Sequence, residues 1–307
     1  MKVEFQLALA ILLAGVSSVQ ASERFTVATY NVKNYLVESI PNRKAKPPEA
    51  RQRVQQVLLH AQADVVVLQE MGRQAAINDL AAGLKRGGLH YPHRLLMQGH
   101  DRAIRLGLLS RFPIIQTILH TNDQFLIEGQ RQWVRRGFLE AEIAVNENYR
   151  FTLLAAHLKS KFQVPYAREK DIRKKEAAIM RGKIVEILKR IPDTNLLVAG
   201  DLNDTPDSTA VRTVIGRGTQ RLFDPKPGEW VFADSEFMLD RPQVKWTYYY
   251  PAGGAYTRVD YLLISRGMKR EWRPESTSIA ALPYWFEASD HRLVMAGFEA
   301  TDRWQQP

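Results

Sequence analysis

Leu196-Leu197-Val198-Ala199-Gly200-Asp201-Leu202-Asn203-Asp204 is an apolar run that stops abruptly in a carboxylate and a carboxamide. A strand of this composition is buried, and polar side chains at its carboxyl end sit on the rim of a sheet, where ligands are usually met. Gly200 lets the backbone turn there. Asp201 and Asn203, two apart on a period-two strand, then share one side of it. The pair suits phosphate or metal chemistry. Aspartate and asparagine also cap helices and open turns, so the string alone leaves both readings open.

Other strand-like runs are built the same way. Residues 25–30 alternate up to Asn31, and residues 64–68 form a valine-rich run that ends in Gln69-Glu70. Residues 151–156 end at His157, Arg258-Val259-Asp260 opens a strand over 261–264, and Ser289-Asp290-His291 precedes one over 293–298. Turn residues alone do not explain why so many strand boundaries carry groups suited to one chemistry.

The ordered set Tyr30-Asn31, Leu68-Gln69-Glu70, His157-Leu158, Gly200-Asp201-Leu202-Asn203, Asp260-Tyr261 and Ser289-Asp290-His291 resembles the endonuclease/exonuclease/phosphatase superfamily. That superfamily includes deoxyribonuclease I, abasic-site endonucleases, inositol-polyphosphate phosphatases and bacterial sphingomyelinases. The resemblance spans residues 25–298 and implies an α/β (α+β) fold, a deoxyribonuclease I-like four-layer sandwich of two packed mixed β-sheets flanked by helices. It also implies a divalent-metal-dependent hydrolase of phosphoric esters.

A phosphodiester repels nucleophiles and has a poor leaving group, so its site must neutralise charge, activate water and help the leaving oxygen. Glu70 is the expected metal ligand, a hard oxygen donor suited to Mg²⁺ or Mn²⁺, with Asn31 as a neutral ligand or supporting donor. Asp290 is a further metal-ligand candidate, and Ca²⁺ is compatible as a structural ion. His291 is the expected general base, since its ordinary pKa lies near neutrality; by resemblance Asp260 holds its other nitrogen. His157 resembles the second histidine of the deoxyribonuclease-like and sphingomyelinase-like branches, which contacts phosphate or the leaving oxygen; Asp101 is the candidate, by position, for the carboxylate that orients it. Asp201 and Asn203 are expected to hold the phosphate. Lys33 departs from the abasic-site endonucleases, which place an acidic residue there.

His157-Leu158-Lys159-Ser160-Lys161 resembles a string of exported bacterial nucleases, and Lys159 and Lys161 are candidates for flanking phosphates. Arg135-Arg136 lies where nuclease relatives place a phosphate-binding arginine. Lys170, Arg173, Lys174, Lys175, Arg181 and Lys183 form either a backbone-tracking face or a solvated one. The aromatic segment Trp246, Tyr248, Tyr249, Tyr250 and Tyr256 stacks bases, meets a lipid headgroup or fills core.

Composition bounds the rest. The 307 residues, 45% of them hydrophobic, suffice for one large domain, read here as residues 22–307. Met1-Lys2, the apolar residues 7–16 and Val19-Gln20-Ala21 read as a cleaved signal peptide over residues 1–21, with secretion or periplasmic location and no stable membrane insertion afterwards. The chain has no cysteine, which excludes disulfides, thiol catalysis and cysteine-bound zinc. A net charge of +10 suits a polyanionic partner. Residues 49–60 read as a crossover helix, residues 105–109 and 113–119 as a hairpin, 138–145 and 149–156 as a second strand pair, and 166–190 as a long basic helix. The functional expectation is an exported, monomeric, metal-dependent nuclease acting on DNA or RNA with little sequence preference. The alternatives are a sphingomyelinase-like enzyme or inositol-phosphate phosphatase, and a non-catalytic nucleic-acid or surface-binding protein retaining the fold.

Overall fold

The computed structural model describes residues 24–190, 193–225, 228–231 and 245–301. The expected signal peptide over 1–21 lies outside the described residues. The chain runs β1 (Arg24–Tyr35), α1 (Pro48–Ala61), β2 (Val65–Met71), α2 (Gln74–Arg86), β3 (His93–Met97), β4 (Arg105–Ser110), β5 (Ile114–His120), β6 (Gln124–Ile127), β7 (Gln130–Trp133), β8 (Phe138–Ala144) and β9 (Arg150–His157). It continues through α3 (Glu169–Arg190), β10 (Leu196–Asp201), α4 (Thr209–Ile215), β11 (Gly228–Val231), β12 (Tyr248–Tyr250), β13 (Ala255–Thr257), β14 (Asp260–Ile264), α5 (Arg266–Lys269), β15 (Trp272–Ala281), α6 (Trp285–Ala288) and β16 (Val294–Glu299).

Seven strands form one mixed sheet in the order β11-β15-β16-β1-β2-β4-β3, and five form another in the order β14-β10-β9-β8-β5. The apolar runs are continuous because each central strand is buried on both faces. Val65, Val67, Leu153, Ala155, Leu197 and Ala199 point into the core between the sheets. Their neighbours along β2, Val66 and Leu68, meet Val54, Leu58, Ile77 and Leu80 of α1 and α2. On the other side Leu154, Ala156, Leu196 and Val198 meet Ile172, Ala177, Met180 and Ile184 of α3. Helix, sheet, sheet and helix therefore form four layers, and each fully buried Val or Leu stabilises them by about 1.5–3 kcal/mol.

α1 forms where Pro48 starts the first turn and Val54, Val57, Leu58 and Ala61 recur at helical spacing. It carries the chain from β1 to the parallel β2, as a crossover must. The expected 138–145 and 149–156 pair is the antiparallel β8–β9 ladder.

The expected hairpin over 105–119 does not form. β4 already has β2 and β3 on its two edges, so the following strand has no edge left to join. The chain instead turns at Ser110, whose Oγ accepts from the Phe112 N–H at 3.0 Å, and β5 crosses to the second sheet to pair with β8.

Gly200 is required by geometry. Its φ is +146°, and a Cβ there would lie 1.9 Å from the Ala156 carbonyl oxygen on β9. Gly200→Ala is expected to destabilise the protein by about 2–6 kcal/mol, read as a lowered denaturant midpoint at unchanged slope.

Candidate active site

β2 lies parallel to β1, and β9 parallel to β10, so within each sheet these strands end at one rim. β16 and β14 are their antiparallel neighbours and begin where they end. Asp201 is consequently the register partner of His157 on one side and of Asp260 on the other. The rims of the two sheets meet at a cleft of about 810 Å³ whose lining includes Asn31, Glu70, His157, Asp201, Asn203 and His291.

Asp201 is the hub. It is 1% exposed; its Oδ2 accepts from Asn31 Nδ2 at 3.0 Å and lies 3.5 Å from His157 Nε2 and 3.9 Å from His291 Nε2. Its Oδ1 accepts from the Asn203 N–H at 2.8 Å. Burial, and then the charge of Asp260, push the Asp201 carboxyl up to about 7.

The imidazoles on either side are electrostatically unlike. His291 Nδ1 donates to Asp260 Oδ2 at 2.9 Å. Burial alone would depress its pKa, but Asp260, Asp201 and Asp290 together raise it to about 10. The three carboxylates thus favour the protonated form of the His291 ring. His157 is pushed well below 6.5 by burial and by the cations around it, Arg136 foremost, so it is neutral.

The all-oxygen set of Glu70 and Asp290, partly exposed on the cleft wall, fits a hard divalent cation that keeps several waters. A second grouping, Asp201, Asp260 and His291, brings ligand atoms within 4.8 Å of one another. There the His291 and Asp260 atoms already bond each other, so the Glu70 side fits an ion better.

Asn31 stands between Asp201 and Glu70. Its Oδ1 accepts from the Lys33 N–H at 3.0 Å, which turns Nδ2 toward Asp201 and, at 3.4 Å, toward Glu70 Oε1. Glu70 Oε2 accepts from the Asn34 N–H at 3.0 Å.

These contacts require an irregular backbone. Lys33, Asn34, Glu70 and Asn203 all have positive φ, a conformation that costs non-glycine residues of order 1–3 kcal/mol each. The turn at Lys33-Asn34 is braced by two residues that sequence reasoning missed. Lys46 Nζ donates to the Lys33 carbonyl at 3.1 Å, and Arg43 donates to Asn34 Oδ1. Lys46 is buried, and burial followed by the charge of Lys33 brings its pKa down to about 8. Neither brace leaves a sequence signal, because each binds a turn created by a bulge. Lys33 Nζ itself lies 3.4 Å from Asp290 Oδ2.

The basic candidates divide sharply. Lys161 lines the cleft. Lys159 does not reach it: the side chain is buried, donating to the Ser160 and Phe162 carbonyls. Arg136 donates to the Leu158 carbonyl at 2.8 Å and lies 3.7 Å from Asp101. Asp101 accepts from its own loop at Ala103 and Ile104, so the carboxylate beside His157 is Asp201 instead. Arg135 is exposed outside the cleft lining. On α3, Arg173 is buried against Asp204 and the Lys159 carbonyl, Arg181 donates to carbonyls around α4, and Lys183 pairs with Asp123. They brace the scaffold, whereas Lys170, Lys174 and Lys175 are exposed.

The sequence pattern of the Endonuclease/Exonuclease/phosphatase family matches residues 28–291. The chain belongs to that family. This makes it a metal-dependent phosphoester hydrolase. No curated protein sequence matches the chain significantly. Among solved structures it is similar to truncated Caenorhabditis elegans TDP2, at 18% identity and a TM-score of 0.61, over 90% of this chain and 98% of that one. Sphingomyelinase C from Streptomyces griseocarneus has 18% identity and a TM-score of 0.57 over 91% and 100%. The human Nocturnin catalytic domain, solved with a bound sulfate anion, has 14% identity and a TM-score of 0.58 over 91% and 95%. The likenesses show the deoxyribonuclease I-like fold.

The raised pKa of His291 adds stability that is complete below the ordinary imidazole value and is lost as pH rises through about 10. In metal-free Asp260→Asn the His291 titration midpoint is expected to fall and the alkaline loss of stability to begin at lower pH, both followed by NMR and melting; an unmoved midpoint contradicts this account. Lys46→Met is expected to weaken Mn²⁺ binding by about 10–100-fold in calorimetry, through loss of the brace behind Glu70.

Proposed function

We propose that the protein is an exported nuclease that hydrolyses phosphodiester bonds of DNA or RNA with little sequence preference. The observation that carries this reading is the placement of His157 and His291 against one buried carboxylate, Asp201, at a cleft that also holds Glu70 and the cations Lys33, Arg43 and Lys161. A protein that only bound a polyanion has no need of two buried imidazoles set against one carboxylate. Both DNA and RNA present the repeated phosphate that such a site meets, without demanding base-edge contacts.

Each residue has a role in this reading. When bound at Glu70 and Asp290, Mg²⁺ or Mn²⁺ supplies charge neutralisation at the phosphate and opposes the proton on His291. Asp260 fixes Nδ1 of His291, so that its Nε2 is the atom at which a water proton is taken up. Neutral His157 presents Nε2 on the same side and meets the leaving oxygen or the phosphate. Asn203 uses one amide N–H on the Leu158 carbonyl at 2.9 Å; the other serves a nonbridging oxygen, where charge grows in the transition state. Lys161 and Arg43 draw the strand in. The basic chain and the leader-like residues 1–21 support export and monomeric action on an external polyanion.

The test uses supercoiled plasmid, structured RNA and sphingomyelin, with Mg²⁺ or Mn²⁺ against chelator. Metal-dependent nicking of nucleic acid is expected, falling by about 10²–10⁴-fold in His291→Ala. Turnover of lipid alone moves the protein to the sphingomyelinase-like alternative. Export is checked by amino-terminal sequencing of the chain recovered outside the cytoplasm, with a start near Ser22 expected.

A further inference from the structure

The aromatic segment that sequence reading left open divides by strand period. On the β12–β13 hairpin, Tyr248 pairs with Thr257, Tyr249 with Tyr256 and Tyr250 with Ala255. Tyr248, Tyr250, Ala255 and Thr257 all line the cleft. Tyr249 and Tyr256 take the other face, stacked with ring centres 4.5 Å apart and joined by Trp246, Trp285 and Phe286. That cluster supports the hairpin from behind, and the Arg292 guanidinium lies 4.4 Å over the Trp246 ring.

The hairpin is also tied to the catalytic loop. The Tyr249 N–H donates to the Asp290 carbonyl at 3.0 Å and the Arg292 N–H to the Thr247 carbonyl at 2.7 Å. The Tyr248 ring covers His291 at 4.7 Å. Tyr250, two residues further along the same face, is half exposed at 50%. Another wall of the cleft is Ser160-Lys161-Phe162-Gln163, where Phe162 is 80% exposed. A phenyl ring held this far into water contributes nothing to the core, and it lies beside a cation that lines the same cleft.

Two available aromatic faces around a phosphate-hydrolysing floor match a ligand with flat apolar rings on either side of a phosphodiester. Unpaired nucleotides have that chemistry. In a duplex the base faces are stacked on one another and only the edges are accessible. The cleft volume of about 810 Å³ lies within the range of small-ligand sites. Resting on the nuclease reading, we propose that Phe162 and Tyr250 are stacking platforms on separate walls of the cleft. They hold the bases flanking the scissile phosphate, so that the enzyme prefers single-stranded stretches of nucleic acid over paired ones. Basic residues with exposed aromatic rings form the sequence-tolerant arrangement for single strands.

The experiment uses the purified full chain and one oligonucleotide sequence in three forms: single-stranded, duplex, and single-stranded with its bases replaced by abasic sites. Cleavage is followed with Mg²⁺, and binding by anisotropy with chelator. The single strand is expected to be cut faster than the duplex. Phe162→Ala and Tyr250→Ala are each expected to weaken binding of the base-bearing strand by about 5- to 150-fold, with no change on the abasic strand. Phe162→Leu, which keeps apolar bulk but not the ring face, is expected to bind like Phe162→Ala, and thermal melts establish that the variants fold. Equal cutting of single strand and duplex, or equal losses on the abasic strand, overturns the platforms and leaves the nuclease reading intact. Failure of the wild-type chain to cut any nucleic acid overturns both. Binding to sphingomyelin vesicles that Phe162→Leu preserves, with no base-dependent binding, assigns the rings to a lipid surface and also overturns the proposal.

Discussion

A buried carboxylate has to be compensated, and the whole cleft is organised around that of Asp201. Removing an ionised group from water costs several kcal/mol unless hydrogen bonds and opposite charge replace the solvent. Asp201 finds them on separate parts of the chain: the Asn31 amide from β1, His157 from β9, the Asn203 N–H from the following turn, and the His291 cation from the loop before β16. These partners belong to both sheets, so the compensation also fixes how the rims meet. A shift of one residue in β10 would turn Asp201 to the other face of its sheet and remove its partners together.

The strained turns follow from the same constraint. Regular strands would carry Glu70 past the rim along its own sheet. The bulges at Lys33-Asn34 and Glu70 redirect the end of β1 and β2, so that a backbone N–H holds Glu70 while Asn31 spans toward Asp201. Lys46 and Arg43 fasten that geometry from outside the sheet. The scaffold around His157 is similarly braced. Glu176, buried and raised to about 6 by desolvation, accepts from the Lys159 N–H at 2.6 Å, and Arg173 bonds the Lys159 carbonyl.

Much of this was legible because strand ends advertise themselves. A two-sided apolar run that stops at a polar side chain marks both a central strand and its rim, which is why the positions of Asn31, Glu70, His157, Asp201, Asp260 and His291 were readable. What was not legible depends on which neighbour occupies a strand edge or on where a flexible side chain points. Residues 105–119 carry good local hairpin chemistry, yet β4 is enclosed by strands far away in sequence. Lys159 and Lys161 look equivalent in a string, but Lys159 folds back onto the Ser160 and Phe162 carbonyls while Lys161 lines the cleft. The carboxamide of Asn31 is decided by a bond from Lys33, and no residue type announces which end of an amide faces a carboxylate.

The pairing of β1 with β16, from Arg24 opposite Glu299 to Thr29 opposite Val294, sets when the site comes into being. The larger sheet cannot finish its central ladder until nearly the last described residues have been supplied, and His291 enters with the loop just before them. Contacts this distant in sequence carry a high loop-closure cost and form late in folding. A partly synthesised chain that stops short of β14 therefore lacks both Asp260 and His291. Such a protein acquires its chemistry only on completion.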